Sequence, residues 1–261
     1  MKLSIIIPVY NEAGCVHEIS ELLRSTLNYL IKTYDVEMIL VDDGSRDNTA
    51  ALLRQAQLPN TTVILHDENR GVGAALRTGF EHSTGDIVIT TDFDGTYPFS
   101  AIPQLVARMV IDQADIAVAS PYHRNGSTRE STGHHVLLEA GISLLYRVVV
   151  NRQIHTWTSL FCAYQRHVLE RLTIREGGAI ASTEILVGAT RARFKIVEIP
   201  VQLRKRHTGR SRTNGLRLML SHLAYIAQFP VLRLSPRARR LQTSIKLAAR
   251  QPIAVPPVPE N

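Results

Sequence analysis

Asp92 and Asp94 stand one residue apart in Thr90-Thr91-Asp92-Phe93-Asp94-Gly95-Thr96-Tyr97-Pro98, directly after the apolar run Ile87-Val88-Ile89. A short β-branched run of this kind predicts a buried parallel strand. Carboxylates at its end are poor core residues, because burying either one unpaired is costly. In an open α/β sheet, the C-terminal ends of the strands are also where ligands bind. Asp-x-Asp at that place offers hard oxygen ligands to Mg²⁺ or Mn²⁺, ions that usually hold substrate phosphates as well. The competing reading is a solvated turn, since Asp, Gly and Pro are turn residues in any case.

Three further polar clusters decide between these readings. Asn11-Glu12 follows the run Ser4 to Val9, Asp42-Asp43 follows Val36 to Val41, and Asn69-Arg70-Gly71 follows Thr62 to Leu65. Together with Asp92-x-Asp94 they put acidic and polar groups at the same end of consecutive strands, a regularity that random surface turns do not produce. Acids there can accept hydrogen bonds from ribose hydroxyls and base N–H groups, and Gly71 and Gly73 at a helix start allow close backbone approach to a ligand. The pocket therefore reads as a nucleotide site. Gly71-Val72-Gly73 does not open a dinucleotide fingerprint, because Leu76 holds the third glycine position and the segment follows the third strand. A Walker P-loop is also absent.

The elements that must position these residues alternate. Val16, Ile19, Leu22, Leu23, Leu27 and Leu30 recur at helical spacing, a second helix starts near Asp47, and a third holds Ala74 to Phe80. Ile102, Leu105, Val106, Met109 and Val110 give another helical stripe, followed by a strand over Asp115 to Ala119. Strands separated by helices predict parallel crossovers and an α/β fold with a doubly wound, mostly parallel sheet. Beyond Ser120 the pattern loosens. Pro121 to His135 reads as a long loop, a lid or acceptor loop. Helices are predicted around 136–150, 163–173 and 182–192, then a strand within Phe194 to Leu203 and a helix over 215–229. Between them, Arg204 to Asn214 carries Arg204, Lys205, Arg206, Arg210 and Arg212 with no acidic residue. The domain reading is one unit over 1–230, with a nucleotide-sugar half at 1–120, an acceptor half at 121–230 that includes the basic loop 204–214, and a basic, Pro-rich tail at 231–261 expected to be disordered.

Composition excludes several classes. The chain of 261 residues is 44% hydrophobic and 20% charged, as in ordinary globular proteins. Cys15 and Cys162 have neither metal-ligand spacing nor a disulfide framework, so a reducing, cytoplasmic compartment is expected. No signal peptide or membrane-spanning run is expected. The net charge of +7 has its excess beyond residue 190, which suits phosphorylated substrates or anionic lipid. Nucleic acid is the weakest partner class, since no RNA-binding or zinc-finger signature accompanies the charge.

Ile6-Ile7-Pro8-Val9-Tyr10-Asn11-Glu12, Val41-Asp42-Asp43-Gly44-Ser45-Arg46-Asp47-Asn48-Thr49, Asn69-Arg70-Gly71-Val72-Gly73 and Thr91-Asp92-Phe93-Asp94 resemble the family 2 inverting glycosyltransferases, whose nucleotide-sugar-binding fold is termed GT-A. Within that family, Cys162-Ala163-Tyr164-Gln165-Arg166, Glu184-Ile185-Leu186, Ile196 to Val201 and Arg206 to Arg212 resemble the branch of dolichol-phosphate mannose synthase and polyprenyl-phosphate glycosyltransferases. The resemblance covers about residues 1–230. It implies that Pro8, Tyr10, Glu12, Val41 and Asp43 line base and ribose, with Phe93 in the same nucleotide-sugar site. Asp92, Asp94 and Thr96 would hold Mg²⁺ or Mn²⁺ and the diphosphate. Arg206 and Arg212 would close over the diphosphate and neutralise the leaving group.

The expected reaction moves a sugar from a nucleotide-diphosphate donor, of GDP-mannose or UDP-glucose type, to a polyprenyl or dolichyl phosphate at the cytoplasmic membrane face. An anionic phosphate acceptor needs no general base, whereas a sugar hydroxyl would want a carboxylate. Glu184 is the attractive candidate for that carboxylate, and a structural role is its alternative. A glycan or soluble acceptor in envelope polysaccharide synthesis is the second reading, and a silent nucleotide-sugar-binding protein the third. Two departures from the branch pattern bear on the acceptor: Ser120-Pro121-Tyr122 where Ser-Arg-Tyr is usual, and Thr156 and Leu160 where Asp and Gly are frequent. Among the rest, Trp157, Met38, Met109 and Met219 read as packing residues and His134-His135 as a solvated pair. The segment Leu216–Phe229, with its flanking arginines, reads either as a helix lying on an anionic membrane or as an ordinary packed helix.

Overall fold

Alternate residues of the first strand divide the core in two. In the computed structural model, which describes residues 1–128, 134–172, 180–205 and 215–233, strand β1 (Lys2–Val9) sends Leu3, Ile5, Ile7 and Val9 to one face. Ile6 goes to the other. The first face is covered by α1 (Val16–Leu30) and α4 (Ile102–Ile111), whose apolar stripes Val16, Ile19, Leu23, Leu27, Leu30 and Ile102, Leu105, Val106, Met109 are buried. The opposite face is covered by α3 (Val72–His82) and α7 (Ala181–Arg191). Burial on both faces is why these strands read as unbroken apolar runs. Gly79 of α3 lies so close to β1 that a Cβ there would stand 2.3 Å from Ile6 Cγ2.

Seven strands form the sheet in the order β3-β2-β1-β4-β6-β5-β7. They are β2 (Asp35–Asp42), β3 (Thr61–Leu65), β4 (Ile87–Thr90), β5 (Ile116–Ser120), β6 (Cys162–Gln165) and β7 (Ile196–Pro200) beside β1. All neighbours are parallel except β6, which runs antiparallel to both β4 and β5. The fold is thus the expected doubly wound, mostly parallel sheet with flanking helices. The helix predicted at 163–173 is corrected: Cys162–Gln165 is strand, and only Arg166–Arg171 (α6) is helical. Thr90 and Val118 both pair with Cys162 in register, so ladder hydrogen bonds from two sides claim that segment. The remaining elements are α2 (Thr49–Gln55), α5 (His134–Val149) and α8 (Gly215–Arg233).

At the edge of the sheet away from the acidic loops, Glu37 fastens β2 to the starts of its neighbours. It accepts from Ser4 Oγ at 2.6 Å and Thr84 N at 2.6 Å, and Lys2 Nζ lies 2.8 Å away. Burial would push this carboxyl up, but the hydrogen bonds from Lys2, Ser4 and Thr84 outweigh it and hold the group at about 2. Of the three methionines expected in the core, Met38 and Met109 are fully buried, while Met219 on α8 is half-buried. Trp157 is a packing residue: it is fully buried, stacked on Tyr146 at 5.6 Å, with its indole N–H donating to Ile154 O at 3.2 Å. The side chains of His134 and His135, the basic residues 206–214 and the tail from 234 lie outside the described residues.

Candidate active site

The loops after β1 and β2 are laced together. Asn11 adopts a positive φ of 54°, which turns its amide N–H onto Ser45 Oγ at 2.8 Å while Arg46 N donates to Asn11 Oδ1 at 2.7 Å. Glu12 N donates to Thr49 Oγ1 at 2.9 Å. Gly44 makes the tight turn possible: its φ is +70°, and a Cβ would sit 2.3 Å from the backbone carbon of Glu68. Pro8, Tyr10 and Glu12 are each partly exposed on this shelf.

Asp43 is the node that ties in the third loop. It is buried, and its Oδ1 accepts from Arg70 N at 3.0 Å and pairs with His66 Nδ1 at 2.7 Å, while Oδ2 accepts from Gly71 N at 2.8 Å. His66 Nε2 in turn meets Thr78 Oγ1 of α3 at 2.9 Å. Asp43 therefore fixes the backbone of Arg70 and Gly71. Val41 is fully buried in the sheet with Ile39, Ala75 and Leu76. Asp42 accepts from Ser45 N through Oδ1 at 2.7 Å, and its buried Oδ2 has no hydrogen-bond partner among the described residues.

After β4 the chain alternates. Asp92, Asp94 and Thr96 are partly exposed, while Gly95 is buried and Phe93 and Tyr97 are core side chains. The three groups expected to hold a metal thus occupy alternate, partly exposed positions of one short strip that turns at Gly95 (φ 71°), and Thr96 N donates to Asp94 Oδ1 at 2.9 Å. Two carboxylates and a hydroxyl suit a hard divalent ion that takes its remaining ligands from phosphates and water. The start of the basic segment is fastened to this strip: Arg204 N donates to Thr96 O at 2.9 Å. Arg206 and Arg212 themselves lie outside the described residues.

Glu139 on α5 was not singled out by its sequence setting, yet it is the carboxylate beside the aspartate pair. Burial first, and the Asp94 charge second, raise its carboxyl to about 7. Glu139 in turn acts on Tyr97 and Tyr122, both already raised first by burial. The signal in the sequence is one acid on the inner stripe of an otherwise apolar helix, with Ile142 and Tyr146 at +3 and +7. Glu184, the carboxylate singled out in this half, lies in the first turn of α7 near Tyr146.

The departures on the acceptor side are absorbed locally. Thr156 Oγ1 lies 2.6 Å from Ser120 Oγ, with both residues buried. Glu198 of β7 accepts from the amides of His155 and Thr156 at 3.0 and 2.9 Å. Leu160 offers its carbonyl to Thr90 Oγ1 at 2.5 Å. These contacts hold the 155–160 loop beneath the end of β4.

Residues 4–173 match the sequence profile of the family described as glycosyl transferase family 2. The chain belongs to that family. Solved structures agree with it at the level of the fold. The family 2 chain is similar to glucosyl-3-phosphoglycerate synthase from Mycobacterium tuberculosis, in complex with Mn²⁺, UDP and glucosyl-3-phosphoglycerate, at 20% identity and a TM-score of 0.64, over 87% of this chain and 80% of that one. The same synthase with Mn²⁺, UDP-glucose and phosphoglyceric acid gives 19% identity and a TM-score of 0.63, over 87% and 80% of the two chains. A further mycobacterial protein gives 19% and 0.67 over 91% and 81%. Seen against them, this member of family 2 has a GT-A fold and is a glycosyltransferase.

Proposed function

We propose that the protein transfers a sugar, with inversion, from a nucleotide-diphosphate donor to a polyprenyl phosphate at the cytoplasmic membrane face. The observation that carries the donor half is the convergence of three laced loops with the Asp92–Asp94–Thr96 strip at one sheet edge. Pro8, Tyr10 and Glu12 form the shelf for base and ribose, and Asp43 acts by fixing the Arg70–Gly71 backbone beside it. Asp92, Asp94 and Thr96 hold a divalent ion, which supplies charge neutralisation to the diphosphate. That synthase was crystallised with Mn²⁺ and UDP, which supports the metal and the class of donor. Arg206 and Arg212, carried by the segment that begins at the Thr96 anchor, complete the neutralisation. The acceptor oxygen attacks the anomeric carbon, the bond to the diphosphate oxygen breaks, and the electron pair leaves with the nucleoside diphosphate. The acceptor class rests on resemblance to the polyprenyl-phosphate branch.

One observation favours a second reading. Glu139 gives the acceptor side a carboxylate that can take a proton from a sugar or glycerate hydroxyl, and the similar synthase binds phosphoglyceric acid. Thermal stabilisation by a panel of nucleoside diphosphates, with and without Mn²⁺, tests the donor half. A ligand at roughly a hundredfold excess over its dissociation constant adds about 2.7 kcal/mol, so a metal-dependent shift with UDP or GDP is expected, and no shift with any nucleotide overturns the donor site. Transfer of labelled sugar into an organic-extractable product supports the lipid acceptor; label confined to water supports the hydroxyl acceptor.

A further inference from the structure

Ten large apolar side chains are exposed among the described residues, and six of them fall on two helices: Leu137, Leu144 and Val148 of α5, and Leu216, Leu220 and Leu223 of α8. Their exposures run from 45% to 74%. On α5 they repeat at helical spacing with Gly141, whose missing Cβ would meet nothing within 4 Å. The inner stripe of α5 is different. Ile142 and Tyr146 are buried, and Tyr146 faces His222 of α8 with 3.2 Å between its Oη and Nδ1. Tyr225 and Ile226 pack into the same cluster, so α5 and α8 are neighbours that each turn an apolar stripe outward. Exposed apolar residues scattered singly need no explanation, but outward apolar stripes on two neighbouring helices mark an interaction surface.

Charge selects what covers it. The chain beyond residue 190 holds 15 of the 30 basic residues and only 2 of the 23 acidic ones, and no acid occurs from Ile199 to Pro259. The only acid in α5 is Glu139, on the inner stripe. A second copy of a +7 chain would bring like charge to like charge across this face, whereas an anionic bilayer offers headgroups to the basic segments flanking α8 and an apolar layer to the leucines. No helix among the described residues is long and apolar enough to cross a membrane, so the contact is with the surface. We infer that α5 and α8 form a docking face for an anionic lipid surface, with the leucine stripes in the headgroup–acyl boundary. Docking in this way sets the acceptor helix, with Glu139 on its inner side, against the bilayer. The inference rests on the helix pair and holds for either acceptor class.

Flotation with vesicles of mixed phosphatidylglycerol and phosphatidylcholine, and with phosphatidylcholine alone, tests it on the full chain. The protein is expected to float with the mixed vesicles, to be released by high salt, and to lose at least tenfold in partitioning when Leu144→Glu, Val148→Glu, Leu220→Glu and Leu223→Glu are combined. A circular-dichroism melt checks that this variant folds. Should it not, Leu220→Trp is a milder probe, because Trp157 is the only native tryptophan and is buried. Its emission is expected to shift to the blue on adding mixed vesicles. Failure of the wild-type chain to float, undiminished flotation of the folded variant, an unshifted emission, or a dimer in light scattering that the variant abolishes would each overturn the inference. Nucleotide-dependent stabilisation is read without lipid, so loss of docking and loss of the donor site are distinguishable.

Discussion

Asp43 spends both carboxylate oxygens on protein donors, which makes it a test of how much loop order the donor site needs. Asp43→Asn turns an N–H toward a position where Arg70 or Gly71 already donates, so a buried clash of donors is expected to cost about 1–3 kcal/mol in a urea melt. The Michaelis constant for the donor is expected to rise with it. Asp94→Ala is expected to lower turnover by more than about a hundredfold and to abolish the Mn²⁺-dependent part of the nucleotide stabilisation; unchanged turnover would remove Asp94 from the metal site. Glu139 gives a prediction with a sign. Its folded value of about 7 lies above the ordinary carboxylate range, so the native state keeps a proton that the unfolded chain releases, and stability falls as pH rises from about 4.5 to 7. In metal-free buffer Glu139→Gln is therefore expected to melt higher than wild type at pH 8 and alike at pH 4. An acid limb of the rate profile that this substitution flattens would assign Glu139 as the base for a hydroxyl acceptor.

Helix α8 carries a pH dependence of its own. Burial lowers His222 to about 4, against an ordinary value near 6.5. The neutral ring costs nothing above pH 6.5, and the native state loses stability as pH falls from there toward 4, by up to about 3 kcal/mol. His222→Gln is expected to reduce that loss in urea melts at pH 7 and pH 4.5; an equal loss in both proteins would deny His222 the role. The same scale shows what sequence could reveal. The strands bearing Asn11-Glu12, Asp42-Asp43, Asn69-Arg70-Gly71 and Asp92-x-Asp94 were legible because apolar runs buried on two faces end abruptly in groups that cannot be buried. Strand β6 was not, because a four-residue segment has no period to count and its partners are 72 and 44 residues away in the pairs Thr90–Cys162 and Val118–Cys162. His66 and Glu139 escaped for a related reason: neither belongs to a motif, and only the fold brings them to Asp43 and Asp94.

At the scale of the molecule, both faces of the sheet are closed by helices, and its two ends have separate tasks. Glu37 binds strands together at one end, and at the other the loops leave acidic and polar groups open to a ligand. Glu37→Ala is expected to lower the melting temperature with little change in donor affinity, whereas a weakened donor site would show that the two ends are coupled. The insertion of β6 between β4 and β5 bears on biosynthesis. As the chain leaves the ribosome, β4 is complete at Thr90 but its neighbour is not made until Gln165, so a nascent chain carries an unpaired apolar edge through 75 residues of translation. A fragment ending at Ser120 keeps that edge for good. It is expected to aggregate and to show no cooperative melt, although it contains all four loops proposed to hold the donor, because the strand that closes the side of β4 is missing.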